Sequence, residues 1–131
     1  MKFTSDIIKR LPKAELHCHL DGSPRVDTIL NLASDQGIKL PSNNKKILES
    51  ILMIGDKIGS LKEYLNRFDI ILSVLQTPKA LTIIAYELAM DCWEDGVRYL
   101  EVRYCPALHT KNGMNISDTI EAVLIGLKKA E

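Results

Sequence analysis

The chain has 131 residues, with a hydrophobic fraction of 46% and a charged fraction of 26%, which predicts one globular core rather than two. Its 17 basic and 17 acidic residues cancel, so we expect no general attraction to nucleic acid or to an anionic membrane. Three cysteines without a CxxC pair favour a reducing compartment. The chain has no signal-peptide core and no apolar run long enough to span a membrane, so we expect a cytoplasmic protein.

The first half of the chain begins with a strand and continues as helices. Residues 14–18 form a strand candidate that runs into the turn pair Asp21-Gly22. Ser23 followed by Pro24 predicts the N-cap and first residue of a helix, and Gly37 predicts its end. Further helices are predicted near residues 47–52 and behind a capping box at residues 60–63.

The second half repeats this order of helix, strand and helix. Thr77 and Pro78 predict the start of a long helix that ends at Gly96, and residues 97–104 alternate as a strand does. The last helix runs from Ile116, and its apolar side is predicted to consist of Ile120, Val123, Leu124 and Leu127. Strands separated by helices predict an α/β fold with parallel pairing.

Two parallel strands do not make a stable buried sheet. We therefore expect the chain to be cut from a longer protein, with apolar residues such as Leu16, Leu100 and Val102 open to water or to another chain. This predicts self-association, disorder or dependence on the remainder.

The sharpest chemical feature is His17-Cys18-His19. On a strand His17 and His19 project from the same face, with Cα atoms about 6.6 Å apart, while Cys18 points away. Two imidazoles at that spacing can share one metal, with Asp21 as a polar group beside them. The same pair could instead be satisfied by hydrogen bonds, and two ligands alone do not complete a structural zinc site.

Residues 11–23, LPKAELHCHLDGS, closely resemble the opening signature of adenosine deaminases. Residues 96–106, GVRYLEVRYCP, resemble the second barrel strand of that family. The helices between the two motifs match in order and approximate spacing, so the resemblance covers essentially the whole chain. It implies that residues 1–131 are the N-terminal part of a single (β/α)8 TIM-type barrel domain, helix-rich and with two parallel strands.

The resemblance also implies an activity, the zinc-dependent hydrolytic deamination of adenosine (and deoxyadenosine) to inosine in purine salvage. His17 and His19 match two zinc ligands, and Asp21 matches the residue that hydrogen-bonds the ribose 5′-hydroxyl. An apolar stripe matches a helix that gates the substrate pocket, and its members are Leu61, Tyr64, Leu65 and Phe68. Without the resemblance, that stripe would be interpreted as core.

The remaining catalytic groups of the family come from later strands, so we expect no catalytic residue in this chain and no activity from it alone. His109 is interpreted as a loop histidine. Glu15 and Glu101 are interpreted as structural carboxylates, paired with a residue such as Arg103.

Two alternatives to adenosine deamination stay open. The first is an adenine or AMP deaminase of the same superfamily. Asp21 favours the nucleoside enzyme, because adenine-specific relatives typically have glutamate at that position. The second is a non-catalytic chain that folds only with a partner.

Overall fold

Along the chain, several helices lie between the two strands, and a last helix follows the second strand. The computed structural model describes residues 4–53 and 61–131, with side chains from residue 65 onward in the second range. In chain order the elements are α1 (Ser5–Arg10), β1 (Lys13–His19), a 3₁₀ turn (Leu20–Gly22), α2 (Val26–Gln36), α3 (Lys45–Leu52), α4 (Leu61–Val74), α5 (Pro78–Glu94), β2 (Val97–Arg103), a second 3₁₀ turn (Pro106–His109) and α6 (Ile116–Lys129). The predicted capping box begins at residue 60, outside the described residues.

Strands β1 and β2 pair in parallel, as the sequence predicts. The register joins Lys13 to Val97 at the start and His19 to Arg103 at the end. Between these points it slips twice by one residue. Arg98 is an extra residue in β2, and one extra residue in β1 between Glu15 and Cys18 restores the original register.

One face of this two-stranded sheet packs on the helices. Leu100, Val102 and Tyr104 are half-buried against the core, and Cys18 packs there from β1. The prediction that Leu100 and Val102 would be open was therefore wrong, because the helices cover that face. Leu16 is 58% exposed, as expected.

The predicted start of α2 was wrong, and its predicted end is confirmed. Residues 20–22 form a 3₁₀ turn, so Ser23 has helical rather than extended angles and its Oγ donates to the carbonyl oxygen of His19 at 2.6 Å. The N-cap of α2 is Arg25, without a side-chain cap bond. Gly37 ends the helix in the left-handed region, at φ 66°.

Helix α5 begins and ends as predicted. The Thr77 side chain accepts a hydrogen bond from the backbone N–H of Ala80 at 3.2 Å, and the helix stops before Gly96, whose φ is 87°. A buried seam of Leu81, Ile84 and Leu88 faces the core.

Helix α6 packs closely on α5 through its small residues. A Cβ on Gly126 would overlap the Thr82 carbonyl oxygen and lie 2.8 Å from Ala85 Cβ. Thr82 Oγ1 also donates to the carbonyl oxygen of Ala122 at 3.0 Å. Small side chains allow this approach, so the buried face of α6 consists of Thr119, Ala122, Val123 and Gly126.

The apolar side predicted for α6 was therefore half right. Val123 is buried and Leu127 packs against the core, but Ile120 is 42% exposed and Leu124 is 58% exposed. These two residues lie on the opposite side of the helix from Gly126.

Within the described residues, no single helix has the length and hydropathy of a membrane span. The segments Leu65–Val74 and Pro78–Glu94 reach that length and hydropathy only when taken together, and the two helices are bent by 115° relative to each other.

Candidate active site

His17 and His19 project to the same side at the carboxyl end of β1, as their spacing predicts. Their Nε2 atoms are 3.1 Å apart, and their ring centroids are 5.0 Å apart. Both residues are exposed, whereas Cys18 between them packs toward the helices. The strand thus presents two imidazole nitrogens that converge on one point.

The spacing of these two nitrogens suits a shared metal ion. Two ligand nitrogens on one tetrahedral zinc, with bonds of about 2.0–2.1 Å, lie about 3.3–3.4 Å apart. The pair can therefore supply two ligands with little movement. In the part of the chain that the structure describes, no group of three or more His, Cys, Asp or Glu side chains is placed to hold a metal.

Asp21 lies beside the histidine pair on the Leu20–Gly22 turn. Its side chain is buried, and its Oδ1 is 3.8 Å from His19 Nδ1. That distance is too long for a hydrogen bond, and Oδ1 has no hydrogen-bond partner among the described residues. A buried carboxylate oxygen without a partner is costly, so Asp21 is suited to accept a hydrogen bond from a bound molecule.

These residues open onto one cleft of about 670 Å³, within the usual range for a small-molecule site. The cleft lies between the carboxyl end of β1, the side of α4 and the turn after β2. Its lining residues are Glu15, His17, Cys18, His19, Asp21, Gly22, Ser23, Leu65, Phe68, Asp69, Leu72 and Leu108.

Two members of the predicted pocket stripe line this cleft. Leu65 is 53% exposed, and the Phe68 ring is half-buried near Gly22. The core interpretation is therefore wrong for Leu65. The other two members, Leu61 and Tyr64, belong to α4, but their side chains lie outside the described part of the structure.

The site residues predicted from the sequence omit Glu15, Cys18, Gly22 and Ser23 beside the histidine pair, and three lining residues farther along the chain, Asp69, Leu72 and Leu108. Asp69 and Leu72 lie four residues after Leu65 and Phe68, so they continue the same face of α4; extending the helical stripe by one turn would have found them. Leu108 follows β2, and the rule that sites form at the carboxyl ends of parallel strands could have indicated it.

The carboxylates and the third histidine differ from the sequence interpretation. Glu101 does pair with Arg103 at 3.3 Å, but both side chains are substantially exposed. Glu15 is exposed in the cleft and accepts a hydrogen bond from the backbone N–H of His17. His109 lies on a connecting turn as predicted, yet it is fully buried, and this burial lowers its pKa.

Comparison with known proteins identifies the family of this chain. A family model described as adenosine deaminase matches residues 12–131. Adenosine deaminase from Clostridium botulinum strain Hall is 54% identical over 123 residues, which are 94% of this chain and 37% of that protein. The chain thus spans little more than a third of the length of the curated relatives it matches.

Solved structures match the fold. Adenine deaminase from Arthrobacter aurescens superposes with a TM-score of 0.79 at 28% identity, over 92% of this chain and 36% of that one. A zinc-bound amidohydrolase from Burkholderia ambifaria has a TM-score of 0.78 at 26% identity, over 99% of this chain and 35% of that one. These matches confirm the prediction of an α/β, helix-rich part of a (β/α)8 barrel with two parallel strands. The chain belongs to the adenosine deaminase family.

Proposed function

We propose that this chain forms part of the active site of a zinc-dependent deaminase that removes the amino group of adenosine and deoxyadenosine by hydrolysis, in purine salvage. The observation that carries this proposal is the convergence of His17 Nε2 and His19 Nε2 at 3.1 Å in the cleft. The family match supports the reaction class. The zinc-bound Burkholderia ambifaria amidohydrolase, which has a similar fold, supports the choice of metal.

When held by the two histidines, zinc would supply an activated water for hydrolysis at neutral pH. His17 and His19 would hold the metal through the two Nε2 atoms that converge in the cleft, with the proton of each neutral ring on Nδ1. Asp21 Oδ1 lies 3.8 Å from Nδ1 of His19, and the negative charge of that carboxylate would favour a proton on Nδ1.

The other lining residues bind and orient the nucleoside. Leu65, Phe68 and Leu72 provide an apolar wall for a purine ring and exclude water from it. The buried Asp21 accepts a hydrogen bond from a hydroxyl group of the ribose, the 5′-hydroxyl by resemblance. Residues 1–131 act as one part of a single deaminase domain in the cytoplasm, and the three cysteines are free, as a reducing compartment permits.

Zinc binding is tested on the chain itself by calorimetry. Two neutral ligands leave the coordination sphere open, so we expect weak binding of one zinc that His17→Ala and His19→Ala each abolish. Glu121→Gln, at an exposed residue of α6, is the control and leaves binding unchanged. Zinc binding that survives both histidine substitutions would remove the pair from the site.

Activity is tested in a chimera in which this chain replaces the matching stretch of the Clostridium botulinum adenosine deaminase, since the chain alone is predicted to be inactive. We expect the chimera to deaminate adenosine and deoxyadenosine, and His17→Ala to abolish turnover. Retained turnover in the His17→Ala chimera contradicts the metal assignment.

The role of Asp21 is tested in the same chimera. Asp21→Ala is expected to lower kcat/KM for adenosine by about 10- to 100-fold more than for 5′-deoxyadenosine, because a hydrogen bond to a charged group contributes about 1.5–3 kcal/mol. Asp21→Asn keeps the side-chain volume and separates lost charge from lost packing. Equal losses on both substrates would mean that Asp21 supports the structure instead.

Adenine deamination is the second candidate, because the Arthrobacter aurescens adenine deaminase has a similar fold. The two candidates differ in whether a ribose is bound. Assaying the chimera with adenosine, adenine and AMP decides between them, and a preference for adenine or AMP would overturn the nucleoside proposal.

A further inference from the structure

The buried side chain of Gln76 joins two walls of the cleft. Gln76 lies in the short junction between α4 and α5 and is only 4% exposed. Its Nε2 donates to the carbonyl oxygen of Leu72 at 2.8 Å and to that of Leu108 at 2.9 Å. Leu72 lines the cleft from α4, and Leu108 lines it from the turn after β2. These two hydrogen bonds, the Gln76 bridge, therefore link the two segments that carry the wall residues.

The surroundings of Gln76 require a glutamine at this position. An amide nitrogen has two hydrogens, one for each carbonyl oxygen, and Oε1 accepts from the backbone N–H of Lys111 at 3.0 Å. A carboxylate in this place would leave both carbonyl oxygens without a donor, and an ammonium group would leave the N–H of Lys111 without an acceptor. The amide satisfies all three backbone groups in one orientation.

A second hydrogen bond attaches the same turn to the same end of α4. His109 is fully buried, and its Nδ1 lies 3.0 Å from the backbone carbonyl oxygen of Leu75. A carbonyl oxygen only accepts hydrogen bonds, so Nδ1 is the donor. Leu75 precedes Gln76 and Leu108 precedes His109, so the turn is attached to the end of α4 at two neighbouring positions.

The separation of the two walls depends on these contacts, because 32 positions in sequence lie between Gln76 and Leu108. We propose that Gln76 is a positioning residue of the substrate site, whose bridge sets the distance between Leu72 and Leu108 and so the fit of the bound nucleoside. Among the described residues, its side chain hydrogen-bonds to α4 and to the segment after β2, whereas the histidine pair lies on β1. This inference rests on the proposed function in taking the cleft as the nucleoside site.

The first test is Gln76→Met in the chimera, which removes the bridge and keeps the approximate length of the side chain. We expect KM for adenosine to rise about tenfold, equivalent to about 1.4 kcal/mol, with a smaller change in kcat. The reason is that the walls that hold the nucleoside move while the two metal ligands stay in place. A fall in kcat without a rise in KM overturns the proposal.

Gln36 offers a matched control for a general loss of structure. Its Nε2 also donates to two backbone carbonyl oxygens, that of Leu32 at 3.1 Å and that of Val74, at the end of α4, at 2.9 Å. Neither of these two residues is among the described residues that line the cleft. Gln36→Met therefore loses a similar pair of hydrogen bonds and should leave KM unchanged. Equal rises in KM for Gln36→Met and Gln76→Met would mean that lost stability, rather than positioning, causes the effect.

Gln76→Glu separates the bridge from the contact with Lys111. The carboxylate still accepts from the N–H of Lys111 but donates to neither carbonyl oxygen. We expect it to raise KM at least as much as Gln76→Met does. A KM close to that of the unsubstituted chimera would assign the effect to the Lys111 contact and overturn the bridge.

Amide hydrogen exchange tests the contact without a substrate. In the unsubstituted 131-residue chain, the side-chain amide of Gln76 and the N–H of Lys111 should exchange slowly, a measurement that needs no variant to fold. Gln76→Met should speed exchange at Lys111 and leave the N–H of Val123 in α6 unchanged. Rapid exchange at the Gln76 amide of the unsubstituted chain overturns the proposal. If exchange follows the expectation but the unsubstituted chimera does not deaminate adenosine, the proposed function fails, and the role of the bridge in nucleoside binding fails with it.

Discussion

Replacing Gly126 by alanine adds one methyl group at the contact between α5 and α6. Two effects then oppose each other. Alanine is favoured over glycine in a helix interior by about 1 kcal/mol, but the new Cβ would overlap the Thr82 carbonyl oxygen and lie 2.8 Å from Ala85 Cβ. The oxygen belongs to the backbone of α5, so rotating a side chain does not relieve the overlap and the helices must separate.

The separation is expected to cost more than the gain in helix propensity. Overpacking costs about 1–3 kcal/mol and occasionally more. Movement of α6 also weakens the hydrogen bond from Thr82 to Ala122, which contributes about 1 kcal/mol. The two costs together are about 2–4 kcal/mol, so after subtracting the gain we expect the free energy of unfolding to fall by about 1–3 kcal/mol. The corresponding decrease in Tm is about 3–10 °C.

Urea unfolding followed by circular dichroism measures this difference. Glu121→Ala, at an exposed position of the same helix, is the matched control and should change the free energy of unfolding by less than about 0.5 kcal/mol. A Gly126→Ala chain as stable as the original, or more stable, would mean that helix propensity outweighs the contact and that α5 and α6 are not packed as described.

Three further predictions concern stability and association. Thr77→Ala removes the hydrogen bond to the N–H of Ala80 and should lower the free energy of unfolding by about 1 kcal/mol, while Thr77→Ser should not; equal losses would contradict the cap. Because burial lowers the pKa of His109 below 6.5, the unfolded chain binds this proton more readily. The free energy of unfolding should therefore decrease as the pH falls below about 6.5, and His109→Gln should flatten that part of its pH profile. The exposed Ile120 and Leu124 predict concentration-dependent self-association; Leu124→Lys should lower the mass measured by light scattering, and an unchanged mass would exclude this face.

Features that depend on neighbouring residues could be predicted from the sequence. The period of a strand places His17 and His19 on one face whatever surrounds them, and the pair is found there. Glycine at a helix end is similarly local, and Gly37 and Gly96 both adopt positive φ. The order of strands and helices follows from such signals.

Features that depend on packing against distant residues could not be predicted. Serine is a favoured residue at an N-cap, but the 3₁₀ turn before Ser23 places its hydroxyl against the His19 carbonyl oxygen instead. The buried face of α6 is chosen by how closely its backbone can approach Thr82, which favours Gly126 over the larger Leu124. The burial of His109 likewise depends on Leu75, 34 positions away in sequence.

The two compensating slips in the sheet limit which changes in length β1 and β2 tolerate. Side chains alternate along a strand, so a shift of one residue exchanges the two faces. Arg98 introduces such a shift, and the extra residue between Glu15 and Cys18 cancels it before His19. Deleting Arg98 alone, or Leu16 alone from the stretch between Glu15 and Cys18, should turn the histidine pair away from the cleft relative to β2. Deleting both should leave the pair in place, so related chains that shorten one strand here are expected to shorten the other as well.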